Sequence, residues 1–302
     1  MTKAVALCRF AASTRPIAAL ALISCLSISR AAITDPACGN SRGTGPATPC
    51  LVHSAPSEYN ERVLVVDRGI YRAMRFDSID SRDQSRIRPG HPEELPMPYL
   101  RSAAVGLVVP PTLEHLLVIG LGGGAFPRFV EARFPDVEID AVEIDPVVAR
   151  IARDYFGVAE SNRLRIHVAD AVAHVKQQHA RYDFILLDAY GADDLPAALT
   201  SSIFLGRVRD QLADEGVLAV NIAVGSDFRA RALIEKIRTL FSHCLRMRSL
   251  PSRNDVLLLS DTPLPGRSEL LSRATSVDVE GEPGFGLRDH IGTAQPCQSP
   301  PD

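Results

Sequence analysis

Three carboxylates and a run of glycines stand at intervals that let them share one pocket. Gly120-Leu121-Gly122-Gly123-Gly124 follows the apolar run Leu116–Ile119 and precedes a helix-like stretch, Phe126–Phe134. Glycines at such a junction let the backbone turn tightly and approach a ligand, which the free N–H groups of the next helix then face. Glu143 lies about 20 residues further on, at the end of a second apolar run, Ile139–Ile144, where a carboxylate can accept both ribose hydroxyls of a nucleoside. Asp170 follows a third run, Leu164–Val168, with Ala171 opening the next helix; a carboxylate there can take an adenine amino group. Asp188 closes a fourth run, Phe184–Leu187, and points into the same cleft. The competing reading makes each acid a helix N-cap, a role that suits Asp170 and suits Glu143 poorly. Asp145, just before Pro146, is the expected cap of its own helix.

The elements that must carry these residues read as alternating strands and helices. A fifth apolar run, Val217–Ile222, completes the series. Near-continuous apolar runs suit parallel strands buried on both faces, and strand–helix alternation implies right-handed crossovers. The last two runs, Cys244–Leu250 and Val256–Leu259, are separated by so few residues that only an antiparallel pairing fits. The expected fold is therefore α/β: a doubly wound, mainly parallel sheet of the class I methyltransferase type with a terminal antiparallel hairpin. Ligands bind such sheets outside the carboxyl ends of the strands. Ahead of it, Arg62–Asp67 and Tyr71–Phe76 read as a hairpin that begins a small β unit. The boundaries are 58–98 for that unit and 99–261 for the nucleoside-binding domain. Residues 32–57 form a Gly/Pro-rich lead-in, and residues 262–302 a Pro/Gly-rich tail with no readable element.

Residues 1–31 have the basic, apolar and small-residue order of a secretory signal peptide, ending at Ser29-Arg30-Ala31. Leu22-Ile23-Ser24-Cys25 also reads as a lipoprotein box, so the expected location is exported, with cleavage after Ala31 or lipidation at Cys25; a miscalled start or an uncleaved tail is the remaining alternative. Cys38 and Cys50 are the preferred disulfide pair, with Cys297 as a rival partner, while Cys244 reads as a buried thiol. No Cys/His cluster has zinc-ligand spacing, and no metal is expected. In the 302-residue chain a formal charge of −3, no Trp and 6% aromatic residues argue against a nucleic-acid partner. The oligomeric state stays open, with a homodimer one possibility.

Leu117–Gly124, Val142-Glu-Ile-Asp-Pro146, Val168-Ala-Asp-Ala171 and Leu187–Asp194 together resemble the spermidine synthase (polyamine aminopropyltransferase) superfamily, nearest its spermidine-synthase-like branch. The likeness runs over about residues 58–261. It implies that Gly120, Gly122, Gly123, Gly124, Glu143, Asp170 and Ala171 hold decarboxylated S-adenosylmethionine, and that Asp188 helps deprotonate the attacking amine, as in polyamine biosynthesis. The chain departs from the family where an acid normally follows the third glycine: it has Ala125. Tyr99 keeps one member of a polar substrate pair, whose second is Leu100, and Asp193 or Asp194 could restore the lost charge. The implied reaction is aminopropyl transfer to a small-molecule amine. The alternatives are methyl transfer from S-adenosylmethionine, for which Ala125 is no defect, or a non-catalytic exported protein that keeps the fold.

Overall fold

The computed structural model describes residues 48–178, 180–190, 195–223, 228–249, 254–278 and 286–297. The signal segment, Cys25, Cys38, Asp193 and Asp194 lie outside the described residues. Two short β-rich runs do form the expected hairpin: β2 (Val63–Arg68) and β3 (Tyr71–Phe76) pair antiparallel through a two-residue connection, with Arg68 opposite Tyr71. They are flanked by β1 (Cys50–Ala55) and β4 (Ser85–Ile87), giving a four-stranded antiparallel sheet in chain order. Both flanking strands fall in segments whose turn-forming and polar residues hid them.

The main sheet contains β5 (His115–Ile119), β6 (Glu138–Glu143), β7 (Leu164–Val168), β8 (Tyr182–Leu187), β9 (Leu212–Ala223), β10 (His243–Ser249), β11 (Asn254–Ser260) and β12 (Ala294–Pro296). Their order is β12-β10-β11-β9-β8-β5-β6-β7. Strands β5 to β9 run parallel, and β11 enters antiparallel between β9 and β10, as the short connection requires. Chain order reverses between β5 and β8, the switch point where such sheets open a crevice.

Alternate residues of each central strand serve opposite faces, so both must be covered. Leu116 and Val118 face a core completed by α1 (Pro98–Ala104), α2 (Ala125–Arg133) and α3 (Pro146–Tyr155), and by Val65 and Met74 of the small sheet. Leu117 and Ile119 face the core under α4 (Ala171–Gln177), α5 (Ser202–Asp210) and α6 (Phe228–Arg238).

The tail departs from expectation. It contains α7 (Arg267–Ala274), α8 (Leu287–Ile291) and strand β12. Leu270 and Ala274, and Leu287 and Ile291, are pairs one helical turn apart that bury fully against the first core. Two apolar residues per helix suffice there, and the surrounding Pro and Gly masked them. Cys244 is likewise no free thiol: it is bonded to Cys297, with their Cα atoms 5.4 Å apart. Pairing of β12 with β10 brings the two cysteines together, and the Cys297 N–H donates to the Cys244 carbonyl at 3.0 Å. Cys50 is disulfide-bonded as well, and its expected partner Cys38 lies outside the described residues. Among the described residues, no helix is long and apolar enough to cross a membrane.

Candidate active site

The carboxyl ends of the parallel strands are tied to one another by backbone hydrogen bonds. The Gly120 N–H donates to the Val142 carbonyl at 2.8 Å, and the Asp188 N–H to the Ile119 carbonyl at 2.9 Å. This crowding explains the first glycine. Gly120 has φ +98°, and a Cβ there would lie 2.3 Å from the Asp188 carbonyl oxygen. Gly124, at φ +67°, begins α2 as its N-cap. Above these strand ends opens a cleft of about 810 Å³, within the range of ligand pockets. Gly120, Gly122, Glu143, Asp170, Ala171 and Asp188 all line it, as does Tyr99 from α1. Gly123 and Gly124 are not among the lining residues. A Cβ at Gly123 would meet Phe156 at 2.7 Å, and one at Gly124 would meet Val158 at 2.3 Å, so both serve close packing.

Glu143 is held by the loop beside it. Its Oε2 accepts from the Leu121 N–H at 3.0 Å and the Gly122 N–H at 3.3 Å, and its Oε1 from the Asp145 N–H at 3.0 Å. A carboxylate offers about four lone-pair sites, so one remains for a ligand hydroxyl where the sequence suggested room for two. Desolvation raises the Glu143 carboxyl above its ordinary range, partly offset by those three N–H donors. Asp145 caps α3 through the Val147 N–H at 2.8 Å, as expected, and its other oxygen is bound by the Ser57 hydroxyl. Asp170 combines both of its readings. Its Oδ1 caps α4, accepting from the Val172 and Ala173 N–H groups at 2.6 and 3.3 Å, while the residue also lines the cleft.

Asp188 sits half-buried at the end of β8. Burial pushes its carboxyl up to about 7, against hydrogen bonds from Asn221 and Tyr99 that favour the ionised form. The Asn221 amide donates to Asp188 Oδ1 at 2.8 Å, and the buried Tyr99 phenol supplies the second bond. Desolvation, and then the same carboxylate, hold that phenol well above its usual value. Asn221 in turn accepts from Asn254 Nδ2 at 2.8 Å. Sequence reasoning missed both asparagines. Asn221 had a signal, as the lone amide inside an apolar strand; Asn254 had none.

The small sheet contributes a polar wall that includes Arg82, Asp83, Gln84 and Arg86. Asp83 is neutralised there by Arg75 and Arg86, each at 2.7 Å. Ala125 is the first residue of α2, buried and not among the residues that line the cleft, and Asp193 and Asp194, the acids expected to restore the missing charge, lie outside the described residues. Tyr190 closes the far side, its hydroxyl donating to the Asn221 carbonyl at 2.9 Å and accepting from the Ala223 N–H at 2.7 Å. Among the described residues, His91, Glu93 and Glu94 bring one ligand atom each within 4.8 Å of one another. They lie outside the cleft lining, and Glu94 pairs with Arg88 at 2.7 Å.

Residues 102–248 match the model of the spermine/spermidine synthase domain. A polyamine aminopropyltransferase of Vibrio vulnificus is 30% identical over 234 residues, covering 75% of this chain and 77% of that relative. Among solved structures, human methyltransferase-like protein 13 in complex with SAH aligns with a TM-score of 0.54 at 27% identity, covering 59% of this chain and 90% of that one. A probable spermidine synthase from Corynebacterium glutamicum aligns with a TM-score of 0.63 at 20% identity over 83% of this chain and 97% of that one, a likeness of fold.

Proposed function

The chain belongs to the spermine/spermidine synthase family, and we propose that it moves an alkyl group from an S-adenosyl sulfonium donor to an amine deprotonated by Asp188. It is a transferase, as its relatives are. The observation that carries the reading is the Asp188 carboxylate: it opens on the cleft at a strand end, with its carboxyl raised to about 7. A base poised near neutral pH can both take and release a proton.

The residues divide the work. Glu143 keeps one acceptor position for a ribose hydroxyl, and Asp170 offers its Oδ2 to an adenine amino group while Oδ1 caps α4. Asp188 takes a proton from the amine, whose nitrogen lone pair is then free to attack. When bound, the donor supplies a carbon activated by its sulfonium; the new C–N bond forms as the C–S bond breaks, releasing a neutral thioether. Holding nitrogen and carbon in line is the enzyme's remaining task, and Tyr99 and Tyr190 wall the space beside Asp188.

The family's reaction, aminopropyl transfer from decarboxylated S-adenosylmethionine, is the first reading. Ala125 favours a second, methyl transfer from S-adenosylmethionine, because its apolar side chain leaves an aminopropyl ammonium without a carboxylate there. Purified protein given each donor with a panel of amines separates them. Methylthioadenosine that appears only when an amine is present supports aminopropyl transfer, and S-adenosylhomocysteine supports methyl transfer. Silence with both donors overturns the proposal. We further propose that the protein is exported, on the order of charged, apolar and small residues in 1–31.

A further inference from the structure

Asn221 is the buried amide of an apolar strand, 2% exposed. A buried amide must find partners, and Asn221 finds one at each end: its Nδ2 donates to Asp188 Oδ1, and its Oδ1 accepts from Asn254 Nδ2, both at 2.8 Å. Asn254 opens β11 opposite Ala223, two residues beyond Asn221 on β9, so the amides form a diagonal cross-strand pair. These bonds dictate which way the amide points. Because Asn254 presents its NH2, Asn221 must turn its carbonyl toward Asn254 and its own NH2 toward Asp188.

We propose that Asn254 and Asn221 form a positioning relay that keeps an N–H donor on Asp188, holding its carboxylate in one orientation and in the ionised, proton-accepting form. The relay rests on Asp188 as the base and adds two residues that act through it. Without Asn254, the Asn221 amide is free to rotate and present its carbonyl, an acceptor that pairs only with a protonated Asp188. Among the described residues, Tyr99 from α1 would then remain as a donor to the carboxylate. Tyr190, which follows Asp188 closely in the chain, has its hydroxyl engaged by β9. Glu143 and Asp170 line the same cleft from β6 and the start of α4 with backbone donors of their own, and Arg82 and Arg86 stand on the wall of the small sheet. The antiparallel hairpin thus reaches the base through one amide, although it supplies none of the acids.

The test is a titration of Asp188 in the full chain, by carboxyl NMR of protein carrying 13C-labelled Asp. The resonance is identified by its absence in Asp188→Asn. Asn221→Ala should raise the Asp188 midpoint by roughly one unit or more, and Asn254→Ala should raise it in the same direction. The double variant should go no further than Asn221→Ala alone, because residues acting in series are not additive. An unmoved midpoint in Asn254→Ala, or a double variant that adds the two single shifts, overturns the relay. If Asn221→Ala does not fold, the half-buried Asn254→Ala decides alone: a raised midpoint with an unchanged melting temperature supports the relay, and no shift overturns it. Turnover is read separately. Full activity in Asp188→Asn would defeat the base while the titration still decides the relay.

Discussion

Gly120 and Asp188 meet backbone to backbone: a single added carbon on residue 120 would stand 2.3 Å from the carbonyl oxygen of residue 188. The turn that begins the glycine loop and the strand end that presents the base therefore share one space. Gly120→Ala should combine left-handed strain with a clash that no side-chain rotation relieves, costing about 2–5 kcal/mol in urea unfolding. Gly90→Ala is the control. It has φ +81° but nothing within 4 Å, so strain alone should cost about 1–2 kcal/mol. Equal losses at the two positions would show that the close approach is immaterial.

Asp188→Asn should fold and lose ~10²–10⁴ of turnover, since the amide keeps the shape and cannot accept a proton. In the parent, kcat/KM should climb with pH and level off above about 7, where the carboxyl has ionised. A profile flat from pH 5 to 9 in the parent would remove Asp188 from the chemistry.

The same carboxyl makes a prediction about stability. Its folded value, about 7, exceeds its ordinary 3.8, so the native state holds a proton that the unfolded chain has released. That contribution is complete below the ordinary value and is lost as pH rises through about 7. The melting temperature of the parent should fall across this window relative to that of Asp188→Asn. Parallel melting curves would mean that Asp188 is not desolvated.

Asp170 performs two tasks that different substitutions separate. Asp170→Ala should cost about 0.5–2 kcal/mol through the lost cap of α4 and should also weaken nucleoside binding. Asp170→Asn retains a good cap and should weaken binding alone. Glu143→Ala should lower affinity for methylthioadenosine at least about tenfold, the worth of a charge-assisted bond. Calorimetric titration paired with thermal unfolding reads both effects, and unchanged affinity in Glu143→Ala would refute the ribose assignment.

The location is testable by mass spectrometry of protein from its native host. The mature chain should begin near Ala32 or at a lipidated Cys25, and non-reducing peptide maps should contain Cys244 joined to Cys297. Intact residues 1–31 on protein with free thiols would overturn export.

Much of this was legible in the sequence because burial on two faces leaves a plain mark. Leu116–Ile119 and Phe184–Leu187 are apolar at every position, as a central parallel strand must be, and both became strands. Asp188, Glu143 and Asp170 could be placed because each stands at or just past a strand end, where the topology alone brings them together. Contacts between distant segments were not legible. Nothing near Asn254 announces a partner 33 positions earlier. Gly123 reads like Gly120, yet only packing against Phe156 shows that it serves the interior. Cys244 looked inert because its partner lies 53 residues away, in a segment whose prolines suggested no structure.

The short strand β12 has a consequence for how molecules meet one another. It pairs with β10 at Leu245, Arg246 and Met247, and so occupies the outermost row of hydrogen-bonding groups in the main sheet. A bare strand edge is a template on which another chain can grow, the first step of sheet-to-sheet aggregation. Three residues are a small guard, and by themselves they would fray. The Cys244–Cys297 bond fastens them to the strand they cover. Solubility of this transferase should therefore depend on the oxidation state of two sulfur atoms remote from its chemistry. Reductant should leave the cleft intact while releasing that guard, and the loss should register as concentration-dependent self-association before any loss of donor binding.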